Sequence, residues 1–306
     1  MKLDGTVLVT GGTGFLGRRL VPALRSDSAR VLVLSRDAQR AQRVLGDVDV
    51  TSSLADVTAF APRIVVNLAG AGIADRPWTA ARRELLRASR IDYTRRLHDA
   101  LSAEPPAVLV SASAVGFYGY GEDHGADHDG SSVDEDAASG TGFAAELCRD
   151  WEAEALRFSS LGTRVVLARL GVVLGAGGML ARLRLPFSLG LGGRLGSGRQ
   201  PFPWIHVADA CALLREACAN SRYEGPVNLT APEQVDNAAF TRAWATALSR
   251  PAVLPVPAPI LGLLGAMAKE LLLGGVAVQP RRALEHGYEF AYPELLPALR
   301  DVAARQ

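Results

Sequence analysis

Short runs of β-branched and aliphatic residues alternate with amphipathic stretches along the first two-thirds of the chain. The runs predict strands over residues 6–10, 30–34, 64–68, 107–111 and 164–167. The amphipathic stretches predict helices over residues 14–25, 38–45, 78–103 and 143–161. Strands that alternate with helices favour a parallel sheet covered on both faces, and right-handed crossovers make that sheet doubly wound. The pattern therefore predicts an α/β fold.

The alternation weakens in two places, which suggests how the chain is divided. Residues 116–142 are rich in glycine and acidic residues and lack apolar periodicity, so they predict a long loop. After about Leu174, glycine-rich segments flank a short apolar helix. We expect a first domain over residues 1–174, its sheet completed by residues 204–230, and a smaller C-terminal lobe mainly over residues 175–306. Residues 260–278 predict a core-packing helix that is too short to span a bilayer.

Composition narrows the class of protein and the partners to be expected. Hydrophobic residues make up 48% of the chain and charged residues 21%, which is typical of a globular protein with an ample core. Lys plus Arg is 33 against 32 for Asp plus Glu, and this balance predicts neither a nucleic-acid nor a membrane partner. The cysteines, Cys148, Cys211 and Cys218, favour buried thiols in a reducing compartment. No signal peptide is recognisable, so we expect a cytoplasmic protein.

The chain begins with a strand, a glycine-rich turn and a helix, in the sequence TVLVTGGTGFLGRRLVPAL. Its glycines satisfy both G-x-x-G-x-x-G and G-x-G-x-x-G. Such glycines allow a tight bend, a close approach of the backbone to a pyrophosphate, and close packing of the helix on the strand. The helix N-terminus adds free N–H groups and a partial positive charge. The turn predicts a dinucleotide site with contacts at Gly11, Thr13, Gly14, Phe15, Leu16 and Gly17.

The end of the second predicted strand indicates which dinucleotide is bound. An acidic residue at this point would bind the ribose hydroxyls of NAD, but Ser35 and Arg36 occupy it. A guanidinium suits the 2′-phosphate of NADP(H) through a charge-assisted contact. Asp37 follows directly and keeps NAD as the less favoured alternative, and Arg36 as a plain surface charge is the other.

Further segments carry a family resemblance. They are NLAGAGIAD at residues 67–75, SASAVGFYG at 111–119, GTGFAAELCRDWE at 140–152 and PFSLGLGGRLGSGRQPFPWIHVAD at 186–209. With the glycine turn, they make the chain resemble an extended short-chain dehydrogenase/reductase, and more narrowly the atypical subgroup named epimerase family protein. The resemblance covers nearly the whole chain. It implies a Rossmann-type doubly wound sheet with a smaller C-terminal substrate lobe, and the first domain then holds NADP(H).

The resemblance also implies particular contacts. Leu68, Ala69 and Gly70 would pass beside the adenosine or its ribose, and Arg90 would reach the cofactor unless it is an exposed charge on an amphipathic helix. Residues 171–173 would run beside the nicotinamide. The other implied contacts are Ser111, Ala112 and Val173 for the cofactor, and Gly178, Met179, Phe187 and Trp204 for the substrate.

The usual acid–base pair of short-chain dehydrogenases is missing. In the pattern Tyr-x-x-x-Lys the tyrosine transfers a proton and the lysine lowers its pKa, but Phe143 and Leu147 stand at these positions. Ser113 aligns with the hydroxyl residue that normally accompanies the pair. The candidates to replace the pair are Tyr118, Tyr120, His206 and Glu146, each of which has a purely structural alternative.

Three functions remain open on this evidence. The first is an NADP(H)-dependent oxidoreductase or epimerase that acts on a small molecule, with Ser113, Tyr118 and His206 as candidate catalytic residues. The second is a catalytically silent NADP(H)-binding protein that senses redox state or binds a protein partner. A nucleotide-sugar epimerase with tightly held NAD is disfavoured by Arg36. We expect no metal, because His124 and His128 lie in the acidic loop without a fixed ligand spacing, and the sequence leaves monomer and homodimer open.

Overall fold

Five strands lie where the runs of β-branched and aliphatic residues predict them, close to residues 6, 30, 64, 107 and 164. A computed structural model describes residues 3, 5–27, 30–119, 132–263 and 265–305. Within these ranges the strands are β1 (Thr6–Thr10), β2 (Arg30–Leu34), β3 (Asp49–Thr51), β4 (Ile64–Asn67), β5 (Val108–Ala114), β6 (Arg164–Leu170), β7 (Val172–Leu174), β8 (Trp204–His206) and β9 (Gly225–Leu229).

Seven strands form one parallel sheet in the order β3-β2-β1-β4-β5-β6-β9. The direction of winding reverses between β1 and β4, so the switch point of the sheet lies directly after β1. Thr10, the last residue of β1, pairs with Leu34 on one side and with Asn67 on the other. The register therefore brings the segments that follow β1, β2 and β4 to one edge of the sheet. The predicted doubly wound α/β fold is confirmed.

Helices cover both faces of this sheet. Across the described residues they are α1 (Gly17–Ser26), α2 (Ala38–Leu45), α3 (Leu54–Phe60), α4 (Ala80–Arg87), α5 (Tyr93–Leu101), α6 (Phe143–Leu156), α7 (Gly178–Ser188), α8 (Val207–Ala219), α9 (Asn237–Ala247), α10 (Ala258–Gly262), α11 (Ala266–Ala268), α12 (Arg281–Glu285) and α13 (Leu295–Ala304). A π-helical turn, Ala88–Asp92, joins α4 to α5. In the described part of the chain, every helix falls short of the length and apolarity that a membrane crossing requires.

Alternate residues along a strand pack into separate hydrophobic cores on the two faces of the sheet. Val7 and Val9 of β1 pack with α1 and α8 on one face, whereas Leu8 packs with α3 and α5 on the other. A third core, built around Trp204, Phe240 and other side chains of α9 and α13, lies in the C-terminal part of the chain. Cys148, Cys211 and Cys218 are all free and buried, as predicted.

Several sequence-based boundaries were wrong. The apolar stretch 260–278 is not one helix but short pieces, α10, α11 and a π-helical turn Lys269–Leu273, because Gly262 and Gly265 interrupt it and Leu263 is exposed. The short β3 and α3 were not predicted, since Asp49–Thr51 has no apolar run. Within residues 204–230, β9 joins the sheet, whereas β8 pairs with β7 in a separate two-stranded sheet.

Candidate functional site

A cavity of about 730 Å³ opens at the carboxyl edge of the sheet, beside the switch point. Four consecutive strand ends supply most of its wall. The lining residues among those predicted as cofactor contacts are Gly11, Thr13, Gly14, Ser35, Arg36, Leu68, Ala69 and Gly70. Sequence reasoning missed several polar residues that also line it: Ser52, Asp75, Arg82, Ser89, Tyr93 and Arg96.

The glycine turn is shaped by the absence of side chains at two of its positions. Gly11 has a φ of +67°, and a Cβ on it would lie 2.5 Å from the carbonyl oxygen of Leu68. A Cβ on Gly17 would lie 2.5 Å from the backbone oxygens of Gly11 and Gly12. Gly14 differs, because its Cβ would meet only one atom, the Gly11 oxygen at 3.1 Å. Gly11 and Gly17 therefore build the turn, and Gly14 faces the cavity.

Helix α1 begins directly behind this turn without a side-chain cap. Its N-cap residue, Leu16, offers no side-chain hydrogen bond, and no acidic residue lies in the first turn. The positive end of the helix dipole is therefore left for an external anion. Phe15 and Leu16 do not line the cavity. Leu16 packs against the first core, and Phe15 contacts the glycines before α7, since a Cβ on Gly177 would lie 2.7 Å from its ring.

The two charged residues after β2, Arg36 and Asp37, have different roles. The Asp37 carboxylate accepts the Arg40 N–H at 2.9 Å and so caps α2. Ser35 donates to the Asp37 backbone oxygen at 3.2 Å. Arg36 is exposed and lines the cavity. The Asp37 carboxylate, which kept NAD as an alternative, therefore caps α2. The Arg36 guanidinium lines the cavity.

The loop after β4 is held by arginines from three helical segments. Arg90 donates to the Ala71 carbonyl at 2.9 Å, its guanidinium lies 5.2 Å from the ring centre of Trp151, and burial lowers its pKa. Arg82 donates to the Gly72 carbonyl at 2.5 Å. Arg182 of α7 binds the Asp75 carboxylate at 2.5 Å, which ties the C-terminal part of the chain to the cavity wall.

Ser113 and Tyr118 lie in a closed hydrogen-bond network behind the cavity. Ser113 donates to Glu152 at 2.6 Å, and both Glu152 oxygens accept from Arg169 at 2.9 Å. Arg169 also donates to the Tyr118 hydroxyl at 2.9 Å, and that hydroxyl donates to Asn228 at 2.7 Å. Burial raises the pKa of Tyr118 to about 12. The hydroxyl protons of Ser113 and Tyr118 are therefore already bound within the protein.

The position of the missing tyrosine is filled by apolar side chains. Phe143 is buried, with its ring centre 4.9 Å from that of Trp78, and Leu147 is buried beneath it. The Glu270 carboxylate accepts the N–H groups of Phe143 and Ala144 at 3.1 and 2.9 Å, and so caps α6. Glu270 was not predicted here, because it comes from a segment more than a hundred residues away in the sequence.

His206 occupies a structural position. Its Nδ1 accepts the Ala208 N–H at 3.2 Å and so caps α8, which leaves the proton on Nε2. That nitrogen lies 3.3 Å from Asp301 of α13, and the ring packs on Tyr292 with 3.8 Å between centres. Burial lowers the pKa of His206 and favours its neutral form. The imidazole thereby joins β8 and α8 to the C-terminal helix.

The remaining predicted residues lie outside the cavity lining. Ser111 and Ala112 are buried in β5, and Val173 packs against the first core. Trp204 and Phe187 are 1% and 4% exposed in the third core, Met179 packs beside them, and Gly178 begins α7. Tyr120, His124 and His128 lie outside the described residues. Glu146 lies in the first turn of α6. The described ranges hold no cluster of His, Cys, Asp and Glu suited to a metal.

Comparison with known proteins agrees with this architecture. The model of the NAD dependent epimerase/dehydratase family matches residues 7–229. The chain belongs to this family. A second model, a domain of unknown function called DUF1731, matches residues 255–302. The resemblance predicted from the sequence motifs is confirmed, and the DUF1731 segment includes Glu270, which caps α6.

Relatives of this epimerase-family chain come from distant organisms. Epimerase family protein SDR39U1 homolog, chloroplastic, from Arabidopsis thaliana is 40% identical over 97% of this chain and 86% of its own length. Epimerase family protein YfhF from Bacillus subtilis is 37% identical over 97% and 98%. The crystal structure of human epimerase family protein SDR39U1 with NADPH superposes with a TM-score of 0.86 at 33% identity, covering 98% and 100% of the two chains.

We predict that the Arg169–Glu152 pair is needed for the stability of this epimerase-family protein. Arg169→Met leaves the buried Glu152 carboxylate unpaired, which should lower the free energy of unfolding by about 3–5 kcal/mol. The side chains of the pair are only 5% and 6% exposed, so solvent does not screen their interaction. Urea unfolding of the variant measures this loss.

The control is Arg95→Ala, which breaks the more exposed pair with Glu154 and should cost at most about 1 kcal/mol. The double variant Arg169→Met/Glu152→Leu should recover part of the loss, because it buries no unpaired charge. Equal losses in Arg169→Met and Arg95→Ala would contradict the assignment.

Proposed function

We propose that the cavity at the carboxyl edge of the sheet binds NADP(H). The observation that carries the proposal is the continuity of one 730 Å³ cavity from the glycine turn, with Gly11 and Gly14, to Arg36 after β2. The two ends of that cavity match the two anionic parts of the adenosine half, the pyrophosphate and the 2′-phosphate. The NADPH bound by the human relative supports the same choice.

The residues present fit this cofactor. Gly14 leaves the wall free of a side chain at the uncapped N-terminus of α1, so the pyrophosphate could approach the backbone there. The Gly14 N–H itself donates to the Gly11 carbonyl at 2.9 Å, so Thr13 and the first turn of the helix would hold the phosphates through backbone N–H groups. Leu68, Ala69 and Gly70 would flank the adenosine. Arg90 already donates to backbone carbonyls of the protein, so we assign it to positioning the loop after β4 rather than to direct contact.

The same geometry favours NADP(H) over NAD. The carboxylate that would bind the ribose hydroxyls of NAD belongs to Asp37, and it is occupied by the α2 cap. Arg36 instead lines the cavity, and its guanidinium fork suits a phosphate. The glycine turn alone would serve either dinucleotide, so selectivity rests on this strand end.

We further propose that the protein acts as an atypical oxidoreductase or epimerase on a small carbonyl or alcohol compound. The bound cofactor supplies hydride exchange at its nicotinamide ring, and family membership supports this class of reaction. Gly178 and Met179 would contact the substrate, with Phe187 and Trp204 supporting that wall from the core. His206, held as a helix cap, would not exchange a proton, and Ser113 and Tyr118 would have to leave their partners to do so.

A catalytically silent NADP(H)-binding protein is the second candidate, and one observation favours it. The side chains of Phe143 and Leu147 carry no exchangeable proton, and the candidate hydroxyls of Ser113 and Tyr118 donate to Glu152 and Asn228. A protein of this kind would bind the cofactor and respond to its redox state through a partner. Capture of partners with and without NADPH distinguishes it, because a sensor must bind differently in the two states.

The buried thiols of Cys148, Cys211 and Cys218 support a reducing compartment, and we propose the cytoplasm for this chain. The relative from Arabidopsis thaliana is named as chloroplastic. Localisation of the tagged full chain tests the proposal.

Cofactor selectivity is the first test of this function. Calorimetric titration should show tighter binding of NADPH than of NADH, and Arg36→Ala should weaken NADPH binding about 10- to 100-fold, the value of a charge-assisted hydrogen bond. Binding of NADH should not change. The control is Arg40→Ala, an exposed side chain of α2 that does not line the cavity. Equal affinity of the wild type for both dinucleotides would refute NADP(H) selectivity.

Two glycine variants separate binding from folding. Gly14→Ala should keep the thermal unfolding temperature close to that of the wild type, because its Cβ meets only one atom at 3.1 Å, yet weaken NADPH binding at least tenfold by narrowing the phosphate space. Gly17→Ala should lower the unfolding temperature, because its Cβ would lie 2.5 Å from backbone atoms. Differential scanning calorimetry measures the unfolding temperature of both variants, and NADPH titration measures their affinity. Loss of stability in Gly14→Ala alone would reverse the assignment.

Turnover decides between the two candidate functions. NADPH absorbance is followed with a panel of small aldehydes and ketones, and we expect oxidation above the blank with at least one of them. Tyr118→Phe should keep most of this rate, because the wild-type hydroxyl already donates to Asn228. Tight NADPH binding without turnover on any compound would support the silent binding protein instead.

A further inference from the structure

We propose that Arg96 is a second arginine of the 2′-phosphate subsite and acts together with Arg36. This inference rests on the proposed NADP(H) function and names a residue that determines its specificity. Arg96 and Arg36 come from different elements, α5 and the segment after β2, yet line the same cavity. No motif in the sequence singles Arg96 out.

Arg96 and its neighbour Arg95 are oriented differently on α5. Arg95 binds Glu154 at 2.7 Å and Asp92 at 3.3 Å on the outer surface, and it does not line the cavity. The Arg96 guanidinium lies 5.9 Å from the ring centre of Tyr93, one turn earlier in the same helix. Tyr93 itself lines the cavity, so its ring supports Arg96 at the cavity wall.

The two guanidiniums share one electrostatic environment. Burial raises the pKa of the Tyr93 phenol to about 12, while a hydrogen bond with Thr10 and the charges of Arg96 and Arg36 pull it down. Both arginines therefore act on the same phenol. Among the described residues, neither makes an ion pair with a carboxylate, and Asp37, the nearest acid in sequence to Arg36, is held by the α2 cap.

Two unpaired like charges in one cavity favour a doubly charged ligand. A phosphate monoester carries up to two negative charges near neutral pH, and each guanidinium offers it a fork of N–H donors. A single exposed arginine is screened by water and salt, whereas two from separate elements restrict where the phosphate binds. Ser35 and Ser52 line the same cavity with hydroxyl groups. The 2′-phosphate is the group that distinguishes NADP from NAD, so the pair of arginines would set selectivity.

The test uses two ligands that differ only in this phosphate, 2′,5′-ADP and 5′-AMP. Their dissociation constants are measured by calorimetry on the full chain for the wild type, Arg96→Gln, Arg36→Gln and Arg95→Gln. Arg96→Gln should weaken 2′,5′-ADP about tenfold or more and leave 5′-AMP unchanged. Arg95→Gln, the matched control, should affect neither ligand. The isomer 3′,5′-ADP should bind less tightly than 2′,5′-ADP to the wild type.

The outcomes separate this inference from the function on which it rests. If the wild type does not prefer 2′,5′-ADP over 5′-AMP, the proposed NADP(H) selectivity fails. If it does and Arg36→Gln removes the preference while Arg96→Gln behaves like Arg95→Gln, NADP(H) binding stands and the role of Arg96 is refuted. An equal loss for both ligands in Arg96→Gln, with unchanged thermal unfolding, would also refute it, because Arg96 would then contact the adenosine.

Discussion

No side-chain atom fits between the Gly11 α-carbon and the carbonyl of Leu68, and the binding edge of the sheet depends on this contact. β1 and β4 are adjacent at the centre of the sheet, and their following segments meet here. A Cβ on Gly11 would lie 2.5 Å from the Leu68 oxygen, so any other residue would force the two segments apart. That separation would displace α1 from the cavity and move the part of its wall formed by Leu68, Ala69 and Gly70.

A second constraint is a buried ion pair in the interior of the fold. The Arg169–Glu152 pair is buried between β6 and α6, and such a pair is tolerated only when its hydrogen bonds are satisfied. Ser113 and Tyr118 provide two of these hydrogen bonds, to Glu152 and Arg169 respectively. Their hydroxyls therefore contribute to the stability of the pair.

Local patterns predicted the binding half of the site better than the rest. β1, β2 and α2 match their predicted limits, because apolar runs and amphipathic spacing are local patterns of adjacent residues. The broken segment 260–278 was predicted as one helix, since apolar content outweighed its glycines. The Glu270 cap of α6 and the Asp75–Arg182 bridge could not be predicted, because each joins residues more than a hundred positions apart. Arg96 was missed for a different reason, since Arg95 and Arg96 look alike until α5 is placed against the cavity.

The two halves of the site are therefore built from different kinds of interaction. The proposed binding half uses backbone geometry and positive charge: Gly14 has no side chain, α1 has no side-chain cap, and Arg36 makes no ion pair with a carboxylate among the described residues. The half behind it has its polar groups paired internally, with Ser113, Tyr118, Glu152 and Arg169 bound to one another and Glu270 covering the end of α6. A helix N-terminus without a side-chain cap and a guanidinium on one cavity suit an anionic ligand there. Internally paired groups carry no such implication, which is why the structure supports cofactor binding more directly than it supports any one proton donor.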